Sequence, residues 1–141
     1  ETPVEPQEAE AARQALIDYL SALNAGDYER AVSLYGGAYD VLSGYNPTID
    51  PEDHIALFEA GCRYNGLRCD LELREVMAAE QVAPGQFHFT VTFTGPEGGL
   101  FELGPCCGGD PTETPPVSQF DFTVVEQDGA FRVVDLPVYQ P

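Results

Sequence analysis

Residues 19–35 read YLSALNAGDYERAVSLY, and the reading of this stretch decides the fold. Tyr19, Leu20 and Leu23 continue a stripe begun by Ala12 and Leu16, so one apolar face recurs at helical spacing. Gly26 stops that helix, and Asp27 supplies the oxygen that caps a second, short one, YERAVSLYG, closed by Gly36-Gly37. The spacing therefore predicts a long first helix from about Pro6–Glu8 to Asn24. Glu8 and Glu10 sit favourably at the positive end of its dipole.

Working outward, Asp50-Pro51-Glu52-Asp53 predicts a third helix: a cap at Asp50, Pro at the first helical position, then acids. It carries Ile55, Leu57 and Phe58 and ends near Gly61. Strands follow. Residues 69–82 alternate loosely, whereas 86–94 (QFHFTVTFT) alternate strictly, with Phe87, Phe89, Val91 and Phe93 on one face and His88, Thr90, Thr92 and Thr94 on the other. Residues 118–126 repeat the pattern through Phe120, Phe122 and Val124, and Asp128-Gly129 turns tightly into a last strand, FRVVDLPVY. A short strand is expected at Gly99–Leu103, with the rest of Gly95–Pro116 as Gly- and Pro-rich loop. Helices first and antiparallel strands after define an α+β fold with the helices on one sheet face.

With that order in place, the LNAGDYERA helix-turn-helix followed by a third helix and an alternating meander resembles the nuclear transport factor 2-like superfamily, from about Ala11 to Tyr139. The resemblance implies a cystatin-like cone, a curved and mostly antiparallel sheet wrapped around the first helix. The motif marks a fold rather than an activity. Ketosteroid isomerases and polyketide cyclases of this type place an acid or His with Tyr or Asp donors inside the cone. That set has no residue-by-residue match here, because a Phe-rich concave face (Phe87, Phe89, Phe93, Phe120, Phe122) turns His88, Thr90, Asp121 and Thr123 outward.

The chain of 141 residues suits one domain, read as an acidic, Pro-rich linker remnant over 1–8 and a folded unit over 9–141. There are 24 acidic against 6 basic residues, all Arg, for a net charge of -18. That field repels nucleic acids and anionic lipid surfaces, which require clustered cations. It suits a salty medium, a cationic partner or simple solubility. No apolar run is long enough to span a membrane. The opening ETPVEPQEAE reads as a tether, giving an expected extracytoplasmic location, secreted or anchored as a lipoprotein.

Four cysteines admit three readings. Zinc prefers paired C-x-x-C spacing, which Cys62/Cys69 and Cys106/Cys107 lack, and catalytic thiols want a cationic neighbour. Two structural disulfides suit the even count and an exported chain. Adjacent cysteines rarely bond to each other, so Cys106 and Cys107 are each expected to reach back to Cys62 or Cys69.

Candidate chemistry is sparse. Tyr19, Tyr35, Tyr39 and Tyr45 combine an apolar body with a polar tip, which suits either plain packing or a pocket rim, and Asp40, in the loop beside Tyr39, is the acid nominated as a general base. The candidate ligand pocket is Tyr19, Tyr35, Tyr39, Asp40, Phe87, Phe89, Phe120 and Phe122. His88 reads as a solvent-facing strand residue and His54 as an exposed first-turn residue. Asp110 and Glu113 lack a regular calcium-loop spacing. No catalytic residue, metal or cofactor is assigned. The expected role is a non-catalytic exported domain that binds a small apolar ligand or a protein partner, including a second copy through the sheet. The alternative is an isomerase- or cyclase-like enzyme using a Tyr and an acid in the cone.

Overall fold

The computed structural model describes residues 6–104 and 116–140. Helix α1 spans Pro6–Ala25 and α2 spans Tyr28–Leu34. They are separated by Gly26, which adopts φ +77°, a left-handed conformation that costs a side-chain-free residue least. Asp27 caps α2 as expected, its carboxylate accepting from the Arg30 amide at 3.2 Å. Ala12, Leu16, Tyr19, Leu20 and Leu23 are all buried, so the apolar stripe of α1 faces the core.

Two helical expectations need correction. Residues read as loop around Asp40 form a short helix α3, Asp40–Tyr45, anchored by fully buried Leu42. Six residues are too few to display a helical period, so packing rather than pattern selects it. Helix α4 is His54–Tyr64, and its cap is Asp53, not Asp50. The Asp53 carboxylate accepts from the Ala56 amide at 3.2 Å, while Asp50 accepts from Glu52 N at 3.0 Å and closes a turn instead. Two aspartates compete for one helix start, and the one three residues ahead of a helical amide wins.

Four strands, β1 (Glu72–Ala83), β2 (Gln86–Thr94), β3 (Phe120–Gln127) and β4 (Ala130–Val133), form one antiparallel sheet in the order β1-β2-β3-β4. Register shifts between Leu73/Glu75, Val76/Ala78 and Gln81/Ala83 mark bulges in β1, which bend that strand. The expected strand at Gly99–Leu103 does not form; isolated bridges Thr94↔Leu100 and Leu103↔Val117 take its place. The last strand ends at Val133, short of its expected reach to Tyr139. Beyond it Asp135 turns its carboxylate onto the Thr123 amide at 2.7 Å, and Pro137 has no N–H to donate to a ladder.

The apolar face of β2 is as expected, with Phe87, Phe89, Val91 and Phe93 buried and Phe122 and Val124 of β3 joining them, but the alternation is not strict: Thr92, expected on the other face, is buried as well. Phe89 pairs with Phe122 and Thr90 with Asp121, so apolar and polar faces stay in register across the strands. The helices pack on the apolar face of this curved sheet, and the core lies between.

Cys62 and Cys69 are bonded to each other, with Cα atoms 5.5 Å apart. The expectation that each reaches Cys106 or Cys107 is therefore overturned. The turn around Gly66 (φ +90°) folds the end of α4 back toward the start of the sheet, bringing two near neighbours in sequence within bonding range. Cys106, Cys107, Asp110 and Glu113 lie outside the described residues.

Candidate functional site

The candidate site is an aromatic cluster where α1, α2, α3 and α4 converge. Tyr19 comes from the buried stripe of α1, Tyr35 caps the end of α2, Tyr39 precedes α3, and Phe58 lies on the inner face of α4. Phe58 meets Tyr19, Tyr35 and Tyr39 edge-on, with interplanar angles of 82°, 83° and 88°. This geometry points its positive ring edge at their negative faces, or the reverse. Tyr39 then stacks flat on His54, centroids 3.7 Å apart.

The hydroxyls differ in their fates. Tyr19 donates to the Asp135 carbonyl at 2.9 Å and Tyr35 to the Ala38 carbonyl at 2.7 Å. The Tyr39 hydroxyl is buried with no hydrogen-bond partner among the described residues. Burial pushes the Tyr19 phenol well above its ordinary value, reinforced by Tyr35, Tyr39 and Asp135. Burial also raises Tyr35 and Tyr39, each to about 12. All three are neutral phenols at neutral pH, able to donate a hydrogen bond but poor proton acceptors.

The other nominated residues are distributed unevenly. Phe87, Phe89 and Phe122 are fully buried on the concave face, and Phe120 is half-buried at its edge, packed on Phe93 and Phe101. Asp40 is exposed on the first turn of α3 and makes no ion pair among the described residues. His88 lies on the opposite sheet face, 3.7 Å from Asp121, which also accepts from Thr90 Oγ1 at 3.0 Å. That placement matches the outward orientation expected from alternation.

The sequence reading missed His54 and Asp135. His54 is half-buried rather than simply exposed, because the ring of Tyr39 covers it. Its position four residues before Phe58 puts both on one helix face, a spacing that was available in the sequence. Asp135 carried no such pattern, since its partners lie on α1 and β3. Surface grooves open elsewhere, among them one of about 420 Å³ between α1 and the start of β1, lined by Ile17, Leu20, Ser21, Asn24, Glu72 and Leu73. Among the described residues no group of three or more His, Cys, Asp or Glu is placed to hold a metal.

With this geometry, the chain superposes on the crystal structure of an uncharacterized protein with a cystatin-like fold from Caulobacter vibrioides. The TM-score is 0.50 at 16% identity, over 91% of this chain and 85% of that chain. The fold is cystatin-like. Likeness at this identity carries architecture and no activity. No protein-family description matches this chain, and no curated protein sequence does.

Proposed function

We propose that this chain is a non-catalytic, exported domain of the nuclear transport factor 2-like type that acts by binding a protein partner. One observation carries the reading: the concave face, where enzymes of this architecture hold substrate, is occupied by the chain's own side chains. Tyr19, Phe58, Phe87, Phe89 and Phe122 are among its largest fully buried groups. A ligand entering there has to displace aromatic rings from a packed core, at several kcal/mol per ring. On this reading the tyrosines and phenylalanines nominated as a pocket are core. The outer sheet face exposes Glu72, Glu75, Glu80 and Asp121. A sheet-to-sheet homodimer would set these like charges against each other, so the partner is read as a different protein.

Export is supported by the Cys62–Cys69 bond, which persists in oxidising compartments. No helix among the described residues is long and apolar enough to cross a membrane. The Tyr39 hydroxyl, buried with no partner among the described residues, favours one second reading, an isomerase- or cyclase-like site in which that phenol donates to a substrate oxygen. Native mass spectrometry of the unreduced protein separates the two. A clean apo mass is expected. A reproducible small-molecule adduct lost on denaturation would overturn the partner-binding reading and favour the second.

A further inference from the structure

Asn65 is followed by Gly66, whose amide nitrogen has no Cβ beside it to screen an attack on the asparagine side chain. The other two asparagines lack such a neighbour. Asn46 precedes Pro47, which has no N–H to attack with, and Asn24 lies inside α1 with Ala25 after it. The Gly66 N–H has no acceptor among the described residues, and Asn65 and Gly66 are both half-buried, within reach of water.

The fold holds this pair out of reaction. Asn65 has φ -103° and ψ 6°, which eclipses the Gly66 nitrogen with the Asn65 nitrogen rather than with Cβ. The Gly66 nitrogen reaches Asn65 Cγ only if the peptide between them turns, and several contacts oppose the turn. The Asn65 amide donates to the Ala60 and Gly61 carbonyls at 3.2 and 3.3 Å, and the Leu67 amide to the Gly61 carbonyl at 3.2 Å. Asn46 Nδ2 donates to Asn65 Oδ1 at 2.7 Å, tying the side chain to the end of α3. The Gln140 amide donates to the Gly66 carbonyl at 2.8 Å, and Cys62–Cys69 closes the loop around them all.

We infer that Asn65-Gly66 is a self-modification site held in check by the Cys62–Cys69 bond and by the C-terminal segment docked on the turn. Once the peptide turns, the Gly66 nitrogen gives its proton to hydroxide and bonds to Asn65 Cγ. The Cγ–Nδ2 bond breaks and ammonia leaves. One water then opens the cyclic imide. Cleavage between the nitrogen and Cγ gives aspartate in a normal backbone. Cleavage between the nitrogen and the main-chain carbonyl carbon gives isoaspartate, whose main chain is one methylene longer. No electrons are transferred: an amide and a water become a carboxylate and ammonium.

The two products act differently on the fold. Aspartate keeps an acceptor oxygen for Asn46. Isoaspartate lengthens a turn that has no slack, since even a Cβ on Gly66 would stand 2.9 Å from the Gln140 carbonyl oxygen and 3.1 Å from Tyr139 Cε1. The C-terminal segment rests on this turn through the Arg68 amide, which donates to the Val138 carbonyl at 2.7 Å, and through the bridge from Leu67 to Tyr139. The Tyr139 ring also stacks on Tyr45, centroids 6.2 Å apart. Isoaspartate at 65 therefore undocks Val138 to Gln140. Where the disulfide persists the site stays silent, and where it is lost the chain is marked.

The test incubates the full chain at mildly alkaline pH and follows the tryptic peptide Tyr64–Arg68, which chromatography with mass spectrometry resolves into asparagine, aspartate and isoaspartate forms. Conversion in Cys62→Ser/Cys69→Ser, shown to be folded by circular dichroism, should run about tenfold faster than in the unreduced wild type. Gln140→Pro removes one donor to the turn and leaves the disulfide intact; it should raise the rate about threefold. Asn24 and Asn46 should stay unconverted throughout. Equal rates at Asn65 in wild type and the folded serine pair would overturn the restraint. Should the serine pair not fold, equal rates in wild type and Gln140→Pro would do the same. No conversion at Asn65 even in urea-unfolded, reduced chain would overturn the site itself.

Discussion

Tyr39 lies flat on His54, ring centroids 3.7 Å apart and planes 8° from parallel. The stack closes the aromatic cluster on the α4 side while leaving the Tyr39 hydroxyl buried without a partner among the described residues. A ring that packs well and a hydroxyl left so placed pull in opposite directions.

Opposite substitutions therefore separate the two parts. Tyr39→Phe keeps the ring and removes the orphan hydroxyl, so stability should stay level or rise by up to about 1 kcal/mol. Tyr39→Ala should lose about 2–3 kcal/mol, through the contacts with His54, Tyr35 and Phe58. Tyr19→Phe is the control: its hydroxyl donates to the Asp135 carbonyl, and removal should cost about 1 kcal/mol. Urea unfolding of the three variants measures all of this; a loss in Tyr39→Phe equal to that in Tyr19→Phe would show that the Tyr39 hydroxyl has a partner.

Alkaline pH should destabilise the protein in a defined window. Tyr35 and Tyr39 have folded values of about 12 against 10.0 for the free side chain, and Tyr19 is raised as well. The folded state thus holds protons that the unfolded state has released, and stability falls as pH rises from about 10 toward about 12. Below pH 10 these groups are protonated in both states and contribute no slope. Melting temperature against pH reads the effect, and absorbance of the tyrosinate band should show late-titrating phenols released together on unfolding. A flat melting temperature across that window would contradict the burial described for these rings.

The Cys62–Cys69 pairing has a direct signature. Trypsin cuts after Arg63 and Arg68, between the two cysteines, so an unreduced digest should contain the peptide ending at Arg63 joined to the one beginning at Cys69. A link from either to the peptide holding Cys106 and Cys107 would refute the pairing. Replacing both Cys62 and Cys69 by Ser should lower stability by about 2.5 kcal/mol, the entropy of closing a loop of sequence separation 7.

Asp135 joins the end of the sheet to the cluster. Its carboxylate accepts from the Thr123 amide at 2.7 Å, and its carbonyl accepts from Tyr19. Asp135→Ala leaves that amide without its charged acceptor and should cost about 1.5–3 kcal/mol in chemical denaturation. Asp135→Asn, which keeps an acceptor oxygen, should cost less.

Much of the fold was legible because its decisive elements are long enough to show a period. The stripe Ala12, Leu16, Tyr19, Leu23 and the alternation Phe87, Phe89, Val91, Phe93 each state which side is buried. Short or interrupted elements were not legible. Leu42 alone draws α3 into a helix, Asp53 displaces Asp50 as a cap by its distance from one amide, and Asp135 with Pro137 ends β4 early. Each is a competition between local options of similar energy, settled by a neighbour distant in the chain.

Composition and pattern by themselves determined the charge, the helices-then-strands order and the outward turn of His88 and Asp121. These depend on residue type and on a repeat a few residues long. Only the tertiary structure decided that Cys62 bonds Cys69, that Tyr39 meets His54, and that Tyr45 and Tyr139 share one surface. These are meetings of single side chains, governed by the turn at Gly66 and by the packing of helix ends. No periodicity encodes them, because a contact between distant segments depends on the summed geometry of everything folded between them.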